Sequence, residues 1–245
     1  MSRARTSMHH RHNIFQLTLQ SRHLRISNKP LINMDTIVPQ AIRITSHNQY
    51  ISTKDLSPST VLPSPLDQFR KWFKESADPP EGMPKVPEPE AMSIATATAE
   101  GVPSVRFVLL KEVDDTGFVF FTNYESRKSR ELEANPKVAL ALYWKEVSRQ
   151  VRVVGRIERV SDEASTTYYK SRPLGSRIGA WASRQSEVVG EGALEKNYAE
   201  VKRRFGVGDE DAVDANIPRP EYWGGWRVIP ECVYCLSLSK HVLMF

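Results

Sequence analysis

The chain has 245 residues, 40% of them apolar, 26% charged and 9% aromatic, which excludes a collagen-like, wholly disordered or membrane-embedded protein. Its longest unbroken apolar run is the seven residues Val138 to Trp144, far short of the roughly 18 that a membrane span needs. The net charge of +5 is no sign of a nucleic-acid binder, because residues 1–34 carry six bases and no acid while the rest carries 28 bases against 29 acids.

The excess charge therefore belongs to a tail. Residues 1–34 contain Arg and Ser and no acid before Asp35, a composition closer to a mitochondrial presequence than to a secretory signal. A disordered extension, or a start at Met34, are the other readings. The expected location is cytoplasmic, with mitochondrial import if the tail is a presequence. No glycine precedes Gly82, and nine of the 16 prolines fall between Pro58 and Pro103, so residues 1–60 are expected to be a tail and not part of a sheet.

The first clear element runs from Ser64 to Ala77. Ser64 can cap, Pro65 takes the first helical position, Asp67 follows in the first turn, and Leu66, Phe69 and Phe73 share a face. Pro79-Pro80 stops it, and Glu81 to Glu90 reads as an extended connector. From Ala91 the period is that of strands: Ala91 to Thr98, Pro103 to Val113, Gly117 to Asn123, Lys137 to Lys145 and Gln150 to Val160. Most are too close together for crossover helices, which points to an antiparallel barrel or sandwich within a mainly β, α+β fold. In the fifth strand Val151, Val153 and Ile157 face one way, and Gln150, Arg152, Arg156 and Glu158 the other. Helices are predicted over Ser126 to Asn135, Ser161 to Ser171 and Leu194 to Phe205, with a closing strand pair at Gly224 to Ile229 and Cys232 to Leu238.

Cys232 and Cys235 are the only cysteines, too few for a disulfide-built fold and consistent with a reducing compartment. Their C-x-x-C spacing lacks a second pair for zinc and a helix start to activate a thiolate, so no metal is expected.

Three segments carry candidate chemistry. If Ser126 caps a helix, Arg127 and Lys128 occupy a first turn where the helix dipole disfavours cations. A phosphate there would be held by free N–H groups and both cations; the alternative is a solvated basic helix start. Arg106 to Lys111 is an apolar strand with a cation at each end, and alternation sends the two cations to opposite faces. Tyr168, Arg172 and Ser176 recur at spacing four, although Pro173 ends the helix after Arg172; their donors could hold a second anionic group.

Arg106 to Lys111, Phe121-Thr122, Ser126-Arg127-Lys128, Arg149-Gln150-Val151, Ser171-Arg172-Pro173 through Ile178-Gly179-Ala180-Trp181 to Gln185-Ser186, and Trp223-Gly224-Gly225-Trp226-Arg227 together resemble the pyridoxine 5'-phosphate oxidase family, FMN enzymes that make pyridoxal 5'-phosphate. The resemblance covers residues 60–231. It implies an antiparallel split β-barrel over 61–231, homodimeric, with FMN in each of two clefts between subunits. On that pattern Arg106, Phe107, Val108, Leu109, Leu110, Lys111, Phe121, Thr122, Arg127 and Lys128 hold FMN, and Gln150, Gln185 and Ser186 complete the site. Lys111, Tyr168, Arg172 and Ser176 bind the substrate phosphate. The implied reaction is oxidation of pyridoxine or pyridoxamine 5'-phosphate, with O2 as acceptor and H2O2 as product. No catalytic residue is implied, since the flavin carries the redox chemistry.

The resemblance ends in the segment 232–245. There the family continues with Glu-Phe-Trp-Gln-Gly and Arg-Leu-His-Asp-Arg, whereas this chain reads Cys232-Val233-Tyr234-Cys235-Leu236 and onward to Phe245. An arginine and a histidine toward substrate and an arginine toward FMN are missing, and Leu236 stands where the family has tryptophan. The family's Arg-x-x-Tyr clamp is also absent near residues 43–50, where Arg43 and Tyr50 are partial substitutes. An altered gene ending and a real loss of activity both explain the departure. The alternative function is thus a flavin- or pyridoxal-phosphate-binding split-barrel protein without oxidase activity.

Overall fold

The computed structural model describes residues 59–183, 185–208 and 216–237, and the backbone of 19–20, 23–24 and 241–244. The chain divides into two compact units, Met1–Ile44 and Thr45–Phe245. The first holds an antiparallel pair of two-residue strands, β1 (Leu19–Gln20) and β2 (His23–Leu24). Otherwise the expectations for the tail, and for Arg43 and Tyr50, fall outside the described residues.

In the second unit, α1 (Pro65–Ala77) starts as its sequence dictates, with the Ser64 hydroxyl accepting from the Asp67 N–H and Pro65 needing no donor. Its buried apolar residues are Phe69 and Trp72, and the Phe69 ring meets Phe118 edge-on at 4.9 Å. The strands are β3 (Ala91–Ala97), β4 (Pro103–Leu109), β5 (Glu112–Val113), β6 (Phe118–Asn123), β7 (Lys137–Trp144), β8 (Arg149–Arg159), β9 (Trp223–Ser237) and β10 (His241–Met244). Their order is β4-β3-β7-β8-β9-β6-β5, with β10 beside β9 and every pairing antiparallel.

The two ends of that order are consecutive in the chain. The Leu110 N–H donates to the Glu90 carbonyl on the β3 side, and the Lys111 N–H donates to the Val119 carbonyl of β6, both at 2.9 Å. Two successive amides thus serve opposite ends of the sheet, which curls it into an antiparallel split β-barrel. Inside are Met92, Ile94, Phe118, Phe120, Leu142, Val151, Val153 and Val228, each at most 1% exposed. Along β8 the alternation is as expected, with Val151, Val153 and Ile157 buried and Arg152 and Arg156 outside.

Besides the division of the strand expected over Pro103 to Val113 into β4 and β5, two expectations change. The closing strand pair is one 15-residue strand, β9. Pro230 has no N–H for the ladder, and the sheet absorbs it as a bulge: Val154 pairs with Cys232 and Gly155 with Pro230, leaving Glu231 as the extra residue. A Cβ on Gly155 would lie 2.1 Å from the Ile229 carbonyl oxygen, so only glycine admits the bulged strand. Cys232 and Cys235, three apart on this strand, fall on opposite faces; Cys235 is buried, and burial pushes its thiol up to about 12.

The second change is an additional helix. After α2 (Arg127–Ala134) and α3 (Asp162–Ser171) comes α4 (Leu174–Ala182), followed by α5 (Ala193–Arg204). Ile178 and Ala182 of α4 bury against Val201 of α5, with Val207 and Ile217, in a second small core. No helix among the described residues is long and apolar enough to cross a membrane.

Candidate functional site

A cavity of about 660 Å³ opens where the end of β4, the start of α2 and the faces of α3 and α4 converge. At its α2 end the Ser126 side chain caps the helix by accepting from the Ser129 N–H, and no acidic residue lies in the first turn. Lys128 turns inward and is only 6% exposed. Its Nζ donates to Thr122 Oγ1 and Gln185 Oε1 at 3.1 Å and to Ser126 Oγ at 3.3 Å. All three acceptors are neutral, and among the described residues no carboxylate pairs with the ammonium. Burial, with Arg106 adding like charge, pulls the Lys128 pKa down to about 8.

Arg127 takes a different course. Its Nε donates to Glu131 Oε1 at 2.6 Å, one helical turn on, and its backbone N–H donates to Ser186 Oγ at 3.2 Å. Ser186 holds a left-handed backbone, φ 72°. Arg106 reaches the same carboxylate, with Nη2 3.2 Å from Glu131 Oε2 and further bonds to Thr96 and Ser104. Burial pushes the Glu131 carboxyl up, but the hydrogen bonds from Thr96 and Arg127 and the positive charges of Arg127 and Arg106 hold it below its usual range.

At the other end, Phe121, Tyr168 and Trp223 form a wall of nearly parallel rings, with Phe121 to Tyr168 at 3.9 Å and Phe121 to Trp223 at 5.6 Å. The double glycine after Trp223 lets Val160 and the rings of Phe121 and Tyr124 approach β9 this closely. A Cβ on Gly225 would lie 2.5 Å from Val160 Cγ2 and 2.8 Å from Phe121 Cε1, and one on Gly224 2.2 Å from Tyr124 Oη. The Gly225 N–H donates to Ser165 Oγ of α3 at 3.2 Å. Arg172 ends α3 with extended backbone before Pro173, and its guanidinium lies over the Trp223 ring at 4.6 Å. Arg172 Nη1 is buried with no hydrogen-bond partner among the described residues, and burial pulls the group below its ordinary pKa.

Of the residues singled out in the sequence, Arg106, Phe107, Val108, Leu109, Lys111, Phe121, Thr122, Lys128, Tyr168, Arg172, Ser176 and Gln185 line this one cavity. Arg106 and Lys111 were expected on opposite faces. The switch of pairing partner at Leu110–Lys111 breaks the alternation, and both reach the cavity. Arg127 and Ser186 meet at its α2 rim. Leu110 is buried in the barrel core instead, and Gln150 sits on β8 opposite Tyr143 and Leu236, outside the cavity lining.

Sequence reasoning did not mark Glu131, Trp223 or the α4 face of Gly179, Ala180 and Ser183 as site residues. The i,i+4 spacing of Arg127 and Glu131 was the available signal for the first. Among the described residues no group of three or more His, Cys, Asp or Glu side chains is placed to hold a metal.

A buried ammonium with only neutral partners and a buried guanidinium with an unsatisfied N–H are costly unless an anion completes them. The donor set at each end of the cavity fits a phosphate group.

Comparison with known proteins gives the same outline. Residues 79–204 match the pyridoxamine 5'-phosphate oxidase family. The chain is 53% identical over 176 residues to a pyridoxine/pyridoxamine 5'-phosphate oxidase of Cupriavidus taiwanensis, covering 71% of this chain and 77% of that protein. With the Thermosynechococcus vestitus oxidase of the same name, identity is 49% over 179 residues, or 73% and 79% of the two chains. Among solved structures, PhzG from Burkholderia lata 383, in complex with tetrahydrophenazine-1-carboxylic acid, superimposes with a TM-score of 0.67 at 28% identity over 79% of this chain and 90% of its own. A pyridoxamine 5'-phosphate oxidase-related, FMN binding protein from Nostoc punctiforme shares the fold at a TM-score of 0.55 and 15% identity, over 76% and 90%.

Proposed function

The chain belongs to the pyridoxamine 5'-phosphate oxidase family, and on that premise we propose that it oxidises pyridoxine 5'-phosphate, or pyridoxamine 5'-phosphate with uptake of water and release of ammonia, to pyridoxal 5'-phosphate, using FMN, with O2 reduced to H2O2. The observation that carries this reading is the pair of under-compensated buried cations, Lys128 and Arg172, in one cavity. FMN and the substrate each bear one phosphate, and two phosphates need two anchors.

When bound, FMN supplies the acceptor for a hydride equivalent from the substrate C4' carbon and passes the electrons to O2. Lys128, Arg106 and Arg127, with Thr122, Gln185 and Ser186, hold its phosphate; the terminal amino groups of Arg127 and the Nζ of Lys128 donate. Phe107, Val108, Leu109 and Phe121 offer it apolar contact. Arg172, Lys111, Tyr168 and Ser176 hold the substrate phosphate, and the Phe121–Tyr168–Trp223 wall fixes the Tyr168 and Arg172 side chains, so little motion is left to freeze on binding.

The working unit in this reading is a homodimer. Along β4, Val105, Phe107 and Leu109 are 67%, 77% and 46% exposed, a stripe of apolar side chains that a second copy would cover. Gln150, outside the cavity lining of its own chain, would complete the site of the other.

Purified protein is expected to be yellow, to release FMN on denaturation, and to make one H2O2 per pyridoxal 5'-phosphate formed from either substrate. A colourless protein that takes up no added FMN would overturn the proposal. The departure at Cys232–Leu236 favours a second reading, binding without turnover, and retained FMN with no substrate-dependent H2O2 would select it.

A further inference from the structure

Glu131 stands behind Arg106 and Arg127 at the α2 end of the cavity, and an acid there opposes an incoming anion. It is 6% exposed and takes three hydrogen bonds, from Arg127 Nε, Arg106 Nη2 and Thr96 Oγ1. Those partners come from α2, β4 and β3, so the carboxylate joins the helix start to the barrel wall.

The pattern of occupied donors shows what this does. Arg106 is nearly saturated: Nη1 donates to Thr96 Oγ1 at 2.6 Å and Ile94 O at 3.3 Å, and Nη2 to Ser104 Oγ at 2.6 Å and to Glu131. Arg127 is held only by Nε, and its two terminal amino groups have no partner among the described residues. A long side chain that would otherwise sample many rotamers is thus fixed at its inner nitrogen with its outer fork free. The charges also match: Arg106, Arg127 and Lys128 together with Glu131 sum to +2, against the −2 of a phosphate monoester above its second pKa, about 6.

We propose that Glu131 is a positioning residue for the FMN phosphate, presetting the Arg127 fork through Nε, clamping Arg106 through Nη2, and reducing the local charge to that of the anion. This rests on the reading that the FMN phosphate lies at the start of α2.

Dissociation constants for FMN and for riboflavin, which lacks the phosphate, test it by flavin-fluorescence titration of the apoprotein. Glu131→Ala is expected to raise the FMN constant about tenfold or more while riboflavin changes by less than about twofold, because the lost bonds to charged groups act on the phosphate alone. Glu131→Gln is expected to recover part of the loss, since its amide oxygen can still accept from Arg127 Nε. In an Arg127→Ala background the Glu131→Ala effect is expected to shrink, because the two residues act as one unit. FMN binding unchanged or tighter in Glu131→Ala would overturn the proposal and leave Glu131 as an opposing charge. Equal loss of FMN and riboflavin would overturn it in favour of support for the fold. A wild-type protein that binds FMN no better than riboflavin would overturn the placement of the phosphate itself, a separate failure.

Discussion

Lys128 Nζ stands 3.1 Å from Gln185 Oε1, so the first turn of α2 is hydrogen-bonded to a residue just past α4, 57 positions along the chain. The contact ties the two helical segments flanking the cavity through a buried ammonium whose described partners carry no charge. Stability and ligand binding therefore pull in opposite directions at this residue.

The first consequence is a pH dependence of cofactor binding. With the Lys128 pKa near 8 in the free protein, a phosphate dianion that needs the ammonium must draw a proton with it above that value. FMN affinity is expected to be level from about pH 6.5 to 7.5 and to fall by up to about tenfold per unit above pH 8. Riboflavin affinity should stay level over the same range. A level FMN curve to pH 9.5 would show that Lys128 is not the anchor.

Replacing the ammonium separates its two effects. The folded-state pKa of Lys128 is depressed from 10.5 to about 8, so between those values the unfolded chain holds a proton that the native state does not, and stability rises with pH through that window. Below pH 8 the buried charge costs its full amount. Lys128→Met is therefore expected to stabilise the FMN-free protein at pH 7 by about 1–3 kcal/mol, an advantage that fades toward pH 10. The same variant should weaken FMN binding about 10- to 100-fold. Thermal melts of the apoprotein at several pH values, with FMN titrations, measure both.

Arg172→Ala is expected to raise the KM for the phosphorylated substrate about tenfold or more and to change FMN affinity by less than about threefold. Arg172→Lys should rescue little, because an ammonium cannot stack on the Trp223 ring as the guanidinium does. Equal losses of substrate and FMN binding would place Arg172 in support of the fold.

The glycines divide into two classes. A Cβ on Gly179 meets nothing within 4 Å in the free protein, so Gly179→Ala should stabilise α4 by about 0.5–1 kcal/mol while narrowing the cavity and raising the substrate KM. Gly225→Ala puts a methyl 2.5 Å from Val160 and 2.8 Å from Phe121 and should destabilise by about 1–3 kcal/mol, dropping Tm. A Gly225→Ala variant with unchanged Tm would mean that Val160 and the Phe121 ring can recede from β9 at no cost.

Much of this was legible in local sequence. The caps at Ser64, Ser126 and Ser161 form as read, because an N-cap depends on a side chain and an amide three residues away. The alternation of β8 and the opposite faces of Cys232 and Cys235 follow from a period of two. Even the oddity of Arg127 and Lys128 at a helix start pointed to the cavity end where they stand.

Other features depended on distant chain. Pro230 lies between the two strands expected at Gly224 to Ile229 and Cys232 to Leu238, and whether a proline breaks a strand or bulges it depends on the opposite strand, here one with glycine at 155. The helix α4 had no capping side chain to announce it; it is held by burial of Ile178 and Ala182 against Val201, Val207 and Ile217. Which cations converge was likewise a tertiary matter. Arg106 and Lys111 reach one cavity because successive amides at Leu110 and Lys111 find carbonyls on different strands, Glu90 and Val119, and Glu131 gathers Arg106 and Thr96 from 25 and 35 residues away. Periodicity, caps and charge are properties of neighbouring residues and determined most of the elements and the candidate anion-binding cations; the choice of hydrogen-bond partner across a closing barrel is set by which strand ends are brought side by side, and that only the folded chain decided.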